Sequence, residues 1–258
     1  MPSDGRKGRT AFLFSAGASP PSGTGRELRS QFPVFAETLD EICARLDPYL
    51  ELPLECVMSA AAGSRTAALL DRAPFAGPAV FALQVAQCRL LESWGVRPDV
   101  VFGQAAGRMA AAYAAGVFSL ADACHAVGTL ARLLGGLAET AGRACPDGML
   151  DAYGRTLATL HPRAPRLTLV CDGTARPVGA ETAEPDFWVR HAPLRLADAV
   201  APLHRDGVRT WLELGPGDVL ARLLPDVLPD GAASVFALSR DWAELRSGTD
   251  AGPEAGQG

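Results

Sequence analysis

The sequence lacks most of the features that would assign a chemistry at a glance. It has four histidines, and none falls between His125 and His161. Its six cysteines are scattered, with no CxxC pair, and there is no HExxH pair. No metal site and no cofactor are expected, because metal motifs place their ligands at such short spacings. Six thiols in 258 residues read as small buried apolar groups of a reducing compartment, not as a disulfide framework. There is no basic excess: the net charge is -5, which argues against a nucleic-acid partner. Gly, Arg or Asp interrupts every apolar stretch before it reaches ~18 residues, so no membrane span is expected. Residues 1–10 are polar and lack the apolar core of a secretion signal. These absences together point to a cytoplasmic protein without nucleic-acid, membrane or metal partners.

What is present describes one large globular domain. Hydrophobic residues make up 48% and charged residues 21%, enough to fill a core and solvate a surface. Short apolar runs at 11–15, 99–103, 166–171, 210–214 and 234–238 have the length of buried strands. Between them lie helical spacings. In 26–50, Phe32, Phe35, Leu39, Ile42 and Leu46 recur at three and four. Residues 78–94 predict an amphipathic helix with Pro78 in its first turn. Further helices are predicted over 107–116, 119–137, 149–160, 195–205 and 218–224. Strands alternating with helices give an α/β fold with a mainly parallel sheet. The domain is placed at 11–245. Residues 1–10 and the Gly-, Ala- and Glu-rich 246–258 are expected to be disordered.

Several segments, taken in order, resemble the acyltransferase domains of modular polyketide synthases. They are FPVFAETLDEIC (32–43), PAVFALQVAQCRLLESWGVRPDVVFG (78–103), AAAYAAGVFSLADAC (110–124), WVRH (188–191) and GVRTWLELGPGDVL (207–220). The resemblance implies an α/β-hydrolase-like large subdomain into which a small ferredoxin-like subdomain is inserted. It also implies transfer of a malonyl-type acyl group from coenzyme A to an acyl carrier protein. In that family a serine on a strand-to-helix elbow attacks the thioester and a histidine takes its proton. Backbone and Gln amides hold the oxyanion, and an arginine clamps the free carboxylate of the extender.

The chain departs from this pattern at each chemical role. The family writes GHSxG at the elbow, where this chain reads GQAAG, 103–107. The nucleophile position is Ala105, whose methyl has no lone pair to attack with. The preceding His is Gln104, and the following acidic residue is Arg108. The oxyanion Gln falls on Gly17, next to Ala18; one such donor is typically worth about 3 kcal/mol in a transition state. A second family Gln is Gly77. The carboxylate-clamping Arg falls on Leu130, although Arg132 remains. Only 14 residues separate Leu134 from Met149, too few for a four-stranded insert, so the ferredoxin-like subdomain is expected to be lost between about 135 and 148. The catalytic His, which follows that insert in the family, falls on Gly142.

The candidates for a pocket are Ser15, Gln104, Ala105, Arg108, Cys171, Asp172 and His191. Four of them have a plainer reading: a loop cap for Ser15, a solvated side chain for Arg108, an Asp-Gly turn for Asp172, packing for His191. Cys145, near the vanished His, reads as an inert thiol rather than a replacement nucleophile. Without the lid, and with small or apolar residues at the vacated positions, the site suits a bulky, mostly neutral polyketide intermediate better than a malonyl unit. The expected function is binding of such a chain, free or on an acyl carrier protein, with promotion of a cyclisation or rearrangement. A non-catalytic scaffold that docks a carrier protein or synthase is the alternative, and a residual acyltransferase or hydrolase with another nucleophile is the third.

Overall fold

Six strands form the centre of the molecule: β1 (Arg9–Phe14), β2 (Val100–Gly103), β3 (Thr168–Cys171), β4 (Pro177–Val178), β5 (Val208–Leu214) and β6 (Ser234–Ala237). The computed structural model describes residues 8–15, 19–139, 147–172, 174–190, 196–229, 231 and 233–250. The strands make one sheet in the order β4-β3-β2-β1-β5-β6. All neighbours are parallel except β3 and β4. A parallel sheet must be covered on both faces, and the side-chain alternation divides accordingly. Phe12, Phe14, Val101, Leu169, Leu212 and Leu214 join the larger core. Ala11, Leu13, Val100, Phe102, Val170 and Trp211 join the smaller core on the other face.

The helices are α1 (Arg26–Gln31), α2 (Pro33–Leu46), α3 (Leu54–Met58), α4 (Ala73–Ser93), α5 (Gly107–Ala114), α6 (Leu120–Glu139), α7 (Asp147–Leu157), α8 (Pro185–Val189), α9 (Leu196–Arg205), α10 (Val219–Leu223) and α11 (Leu238–Asp250). The single helix expected over 26–50 is broken at Phe32. That residue precedes Pro33, which disfavours the helical region for it, and it is extended at φ -125° and ψ 105°. The helix expected from Pro78 begins five residues earlier, with Pro74 in its first turn and Pro78 in its interior. It is not amphipathic: every residue from Pro78 to Cys88 is buried. α4 is the central helix of the larger layer, packed between the sheet, α2, α5 and α6. Its Gln84 and Gln87, one turn apart, bind the carboxyl ends of β1 and β5. Gln84 donates to Ser15 O and Leu214 O, and Gln87 accepts from Gly215 N–H.

Regular structure extends past both bounds expected for the domain. Arg9 and Thr10 belong to β1, held by Arg9 N–H to Gly207 O and Thr10 N–H to Asp99 Oδ2. The C-terminal residues 246–250 complete α11, whose Trp242 meets the Phe32 ring edge-on at 5.6 Å, as Trp94 does at 5.2 Å. Residues 1–7 and 251–258 lie outside the described residues. α6 ends at Glu139 and α7 begins at Asp147, a link of seven residues between two helices that pack on each other. Among the described residues there is no sheet other than the central one.

Candidate functional site

The site is built on the turn from β2 into α5. Gln104 N–H donates to Phe14 O, continuing the pairing of β2 with β1 past the last strand residue. The chain then reverses at Ala105, which has φ 43°, a left-handed conformation that side chains with a Cβ rarely adopt. The glycines on either side are sterically required. A Cβ on Gly103 would lie 2.8 Å from both Ala111 Cβ and Arg108 Cα. A Cβ on Gly107 would penetrate the Phe14 carbonyl. The sharp turn predicted from GQAAG is therefore present, and it exposes Ala105 and Ala106 at its tip.

Arg108 and Asp172 lie beneath that tip; Asp172 stands in a turn closed by Thr174 N–H to Cys171 O at 3.3 Å, as its plainer reading has it, whereas Arg108 is not a solvated side chain. Both side chains are buried, 6% and 5% exposed, and they face each other with Arg108 Nε 3.4 Å from Asp172 Oδ1. Asp172 Oδ2 accepts the Ala105 N–H at 2.8 Å, so the carboxylate also holds the strained residue in place. Arg108 Nη1 donates to Arg190 O and Nη2 to Phe187 O, both at 2.6 Å, tying the elbow to the end of α8. Its guanidinium also lies over the Phe187 and Trp188 rings, at 5.1 and 5.6 Å. It is neither a solvated side chain nor a free anion binder.

Above the elbow is a cavity of about 450 Å³. Ala105 and Ala106 form one side of it, Gly77 and Pro78 of α4 another, and Leu130 and Leu134 of α6 a third. Met149, Leu150 and Tyr153 of α7 and Trp188 and Val189 of α8 also line it, as does Arg108. Ala105, Gly77 and Leu130, at which the sequence was expected to lack the family's side chains, thus share one lining. Arg132 is not among them: it stacks over Tyr49, whose hydroxyl bonds His125 Nδ1 at 2.6 Å. A second cavity lies across Arg108 and is richer in charged side chains, with Asp172, Glu181, Glu184 and Asp186 in its lining.

Two other candidates belong elsewhere. Ser15 is buried at the end of β1, where Gly215 approaches its Oγ and its side chain lies beside the Glu213 carboxyl; it lines neither cavity. Cys171 is in the core, and burial pushes its thiol up to about 12, so no thiolate is available there. Gln104 is half-buried at the turn but is not in the lining of the apolar cavity. Gly17, Ala18, Gly142, Cys145 and His191 lie outside the described residues. Sequence reasoning missed Tyr153 and Trp188 as site residues. Tyr153 stands one helical turn from Met149 on α7, a spacing that would have paired them once that helix was known to border the site.

Among the described residues, no group of three or more His, Cys, Asp or Glu is placed to hold a metal ion, and no helix is long and apolar enough to cross a membrane.

The comparisons with known proteins agree on one family. The acyl transferase domain model matches residues 11–146. Polyketide synthase GfsA of Streptomyces halstedii is 34% identical over 312 aligned positions, covering 92% of this chain and 4% of that protein. The spectinabilin polyketide synthase system protein NorB of Streptomyces orinoci is 32% identical, covering 90% of this chain and 14% of that protein. The chain thus spans a small fraction of the length of these curated relatives. The acyltransferase domain from the second module of the salinomycin polyketide synthase superposes with a TM-score of 0.77 at 28% identity, covering 94% of this chain and 72% of that one. A malonyl-CoA:acyl carrier protein transacylase from Xanthomonas oryzae shares the fold, with a TM-score of 0.75 at 22% identity over 94% of this chain and 98% of that one. With its mainly parallel sheet, its glycine-bound elbow and these relatives, the chain belongs to the acyl transferase domain family, in the form carried by polyketide synthases.

Proposed function

We propose that this chain is an acyltransferase-like protein of polyketide biosynthesis that has given up serine-dependent transfer and instead holds a polyketide intermediate over Ala105. The observation that carries the reading is a methyl group at the tip of an intact elbow, facing a cavity lined almost wholly by hydrocarbon. No acyl-enzyme forms on a methyl group. A malonyl carboxylate would enter an apolar space in which the one guanidinium is already bound to Asp172 and two carbonyls. Burying a charge without a partner is strongly unfavourable, whereas a neutral chain gains by leaving water.

Two further facts support loss of the small inserted subdomain. The link from α6 to α7 is seven residues. The alignment with GfsA runs over 312 positions, more than the 258 residues of this chain, so the relative carries positions that this chain does not. An open cavity at the carboxyl ends of parallel strands is where ligands of such folds bind. Holding a flexible chain in a reactive conformer contributes several kcal/mol to a cyclisation or rearrangement without any covalent bond to the protein.

Calorimetric titration tests the binding step. A neutral medium-chain β-ketoacyl thioester of N-acetylcysteamine is expected to bind at least tenfold more tightly than malonyl-CoA. Equal or reversed preference would remove the reading. Incubation of the protein with polyketide thioesters then separates the roles: turnover faster than in buffer supports an enzyme, and binding without turnover supports a carrier-docking scaffold.

A further inference from the structure

The apolar cavity holds one hydrogen-bonding side chain that nothing else uses. Of its lining residues only Arg108, Trp188 and Tyr153 carry a nitrogen or oxygen in the side chain. Arg108 is held by Arg190 O and Phe187 O through Nη1 and Nη2, and its Nε faces Asp172 Oδ1 at 3.4 Å as an ion pair without a hydrogen bond. Trp188 Nε1 donates to Thr182 O at 3.0 Å. The Tyr153 hydroxyl makes no hydrogen bond among the described residues, although the residue is only 6% exposed. A hydroxyl without a protein partner, on so buried a residue in the lining of an apolar cavity, is a marker for a ligand.

On the reading that the cavity binds a neutral polyketide, we propose that the Tyr153 hydroxyl donates a hydrogen bond to a ketone or thioester carbonyl of that chain and so fixes which carbon lies over Ala105. The residue is suited to this in three ways. Burial raises its pKa well above the ordinary phenol value, so it remains a neutral donor at every physiological pH. It shares the cavity lining with Ala105 and Ala106 of the elbow. α7 holds it rigidly, with Met149 one turn away on the same lining. A single neutral donor in a hydrocarbon site selects a carbonyl-bearing chain over both a carboxylate and a plain alkyl chain.

The test compares wild type with Tyr153→Phe, which keeps the ring and removes only the oxygen. The probes are the 3-oxodecanoyl thioester of N-acetylcysteamine with ¹³C at the ketone, and the decyl thioether of N-acetylcysteamine, which has no carbonyl on the chain. Tyr153→Phe is expected to weaken the keto thioester roughly three- to tenfold, the range of one net hydrogen bond, and to leave the thioether unchanged. The ¹³C=O stretch should lie at lower frequency in the wild-type complex than in the variant complex. Equal weakening of both probes would mark a packing role and overturn the proposal, as would equal carbonyl frequencies in the two complexes. In either case binding of the thioether would leave the cavity reading standing. Failure of wild type to bind both probes would overturn that reading, and this proposal with it. An unchanged circular dichroism melt of the variant confirms that the fold is intact.

Discussion

Gly107 and Gly77 border the same site and experience opposite surroundings. Gly107 begins α5 under the elbow, where an added Cβ has no room against the Phe14 carbonyl. Gly77 lies inside α4 on the cavity wall, where an added Cβ meets nothing within 4 Å. The first is held by the backbone path, the second by nothing except the space it leaves. The same contrast runs through the site. The turn, its left-handed Ala105 and the salt bridge below it are tightly packed, and the wall of Gly77, Leu130 and Leu134 is open.

The contrast breaks most sharply at the buried ion pair. Arg108→Met leaves the Asp172 carboxylate buried without its cation and is expected to cost about 3–5 kcal/mol in urea denaturation. Adding Asp172→Asn should recover part of that loss, because the uncompensated charge goes with it. A single variant as stable as wild type would show that the pair does not hold the elbow.

The two glycines give the next test. Gly107→Ala is expected to destabilise by about 3 kcal/mol, since the neighbour it strikes is backbone and cannot swing aside. Gly77→Ala should instead stabilise by roughly 0.5–1 kcal/mol, because alanine is the better helix former and has room. Similar effects at both positions would remove the distinction between frame and wall.

Much of the frame was legible because it depends on short-range rules. The period of apolar residues found the sheet and most helices, and the glycine spacing of GQAAG located the elbow. The resemblance placed Ala105, Gly77 and Leu130 at one site, and they share one cavity lining. What escaped was tertiary. The two-residue β4 and five-residue α8 are too short to carry a period. Proline misdirected the reading twice, hiding the break at Phe32 and suggesting too late a start for α4. Arg108 read as solvated because its partners lie far along the chain, Asp172 at one strand end and the carbonyls of Phe187 and Arg190 on α8. No local pattern announces such a pairing.

The smallest predicted effect lies away from the cavity. Glu213 is fully buried at the end of β5, and loss of hydration raises its pKa, partly offset by Ser15 and by the Ala221 and Leu220 N–H groups. A carboxyl with a raised folded-state pKa favours the protonated fold. Its contribution is therefore present below the ordinary glutamate range and is lost as pH rises from that range through the raised value. Thermal melts should show stability falling across this window. Glu213→Gln should flatten the slope while keeping an oxygen to accept the Ala221 N–H, now made to Oε2 at 2.6 Å. A slope that steepens or reverses in the variant would show that another group controls it.

The most direct test of the central claim is intact-mass spectrometry of the protein after exposure to malonyl-CoA and to a neutral acyl-CoA. An elbow whose tip is a methyl group should leave the mass unchanged with both. A stable acyl adduct on any residue, formed as fast as on a working synthase domain, would contradict the account.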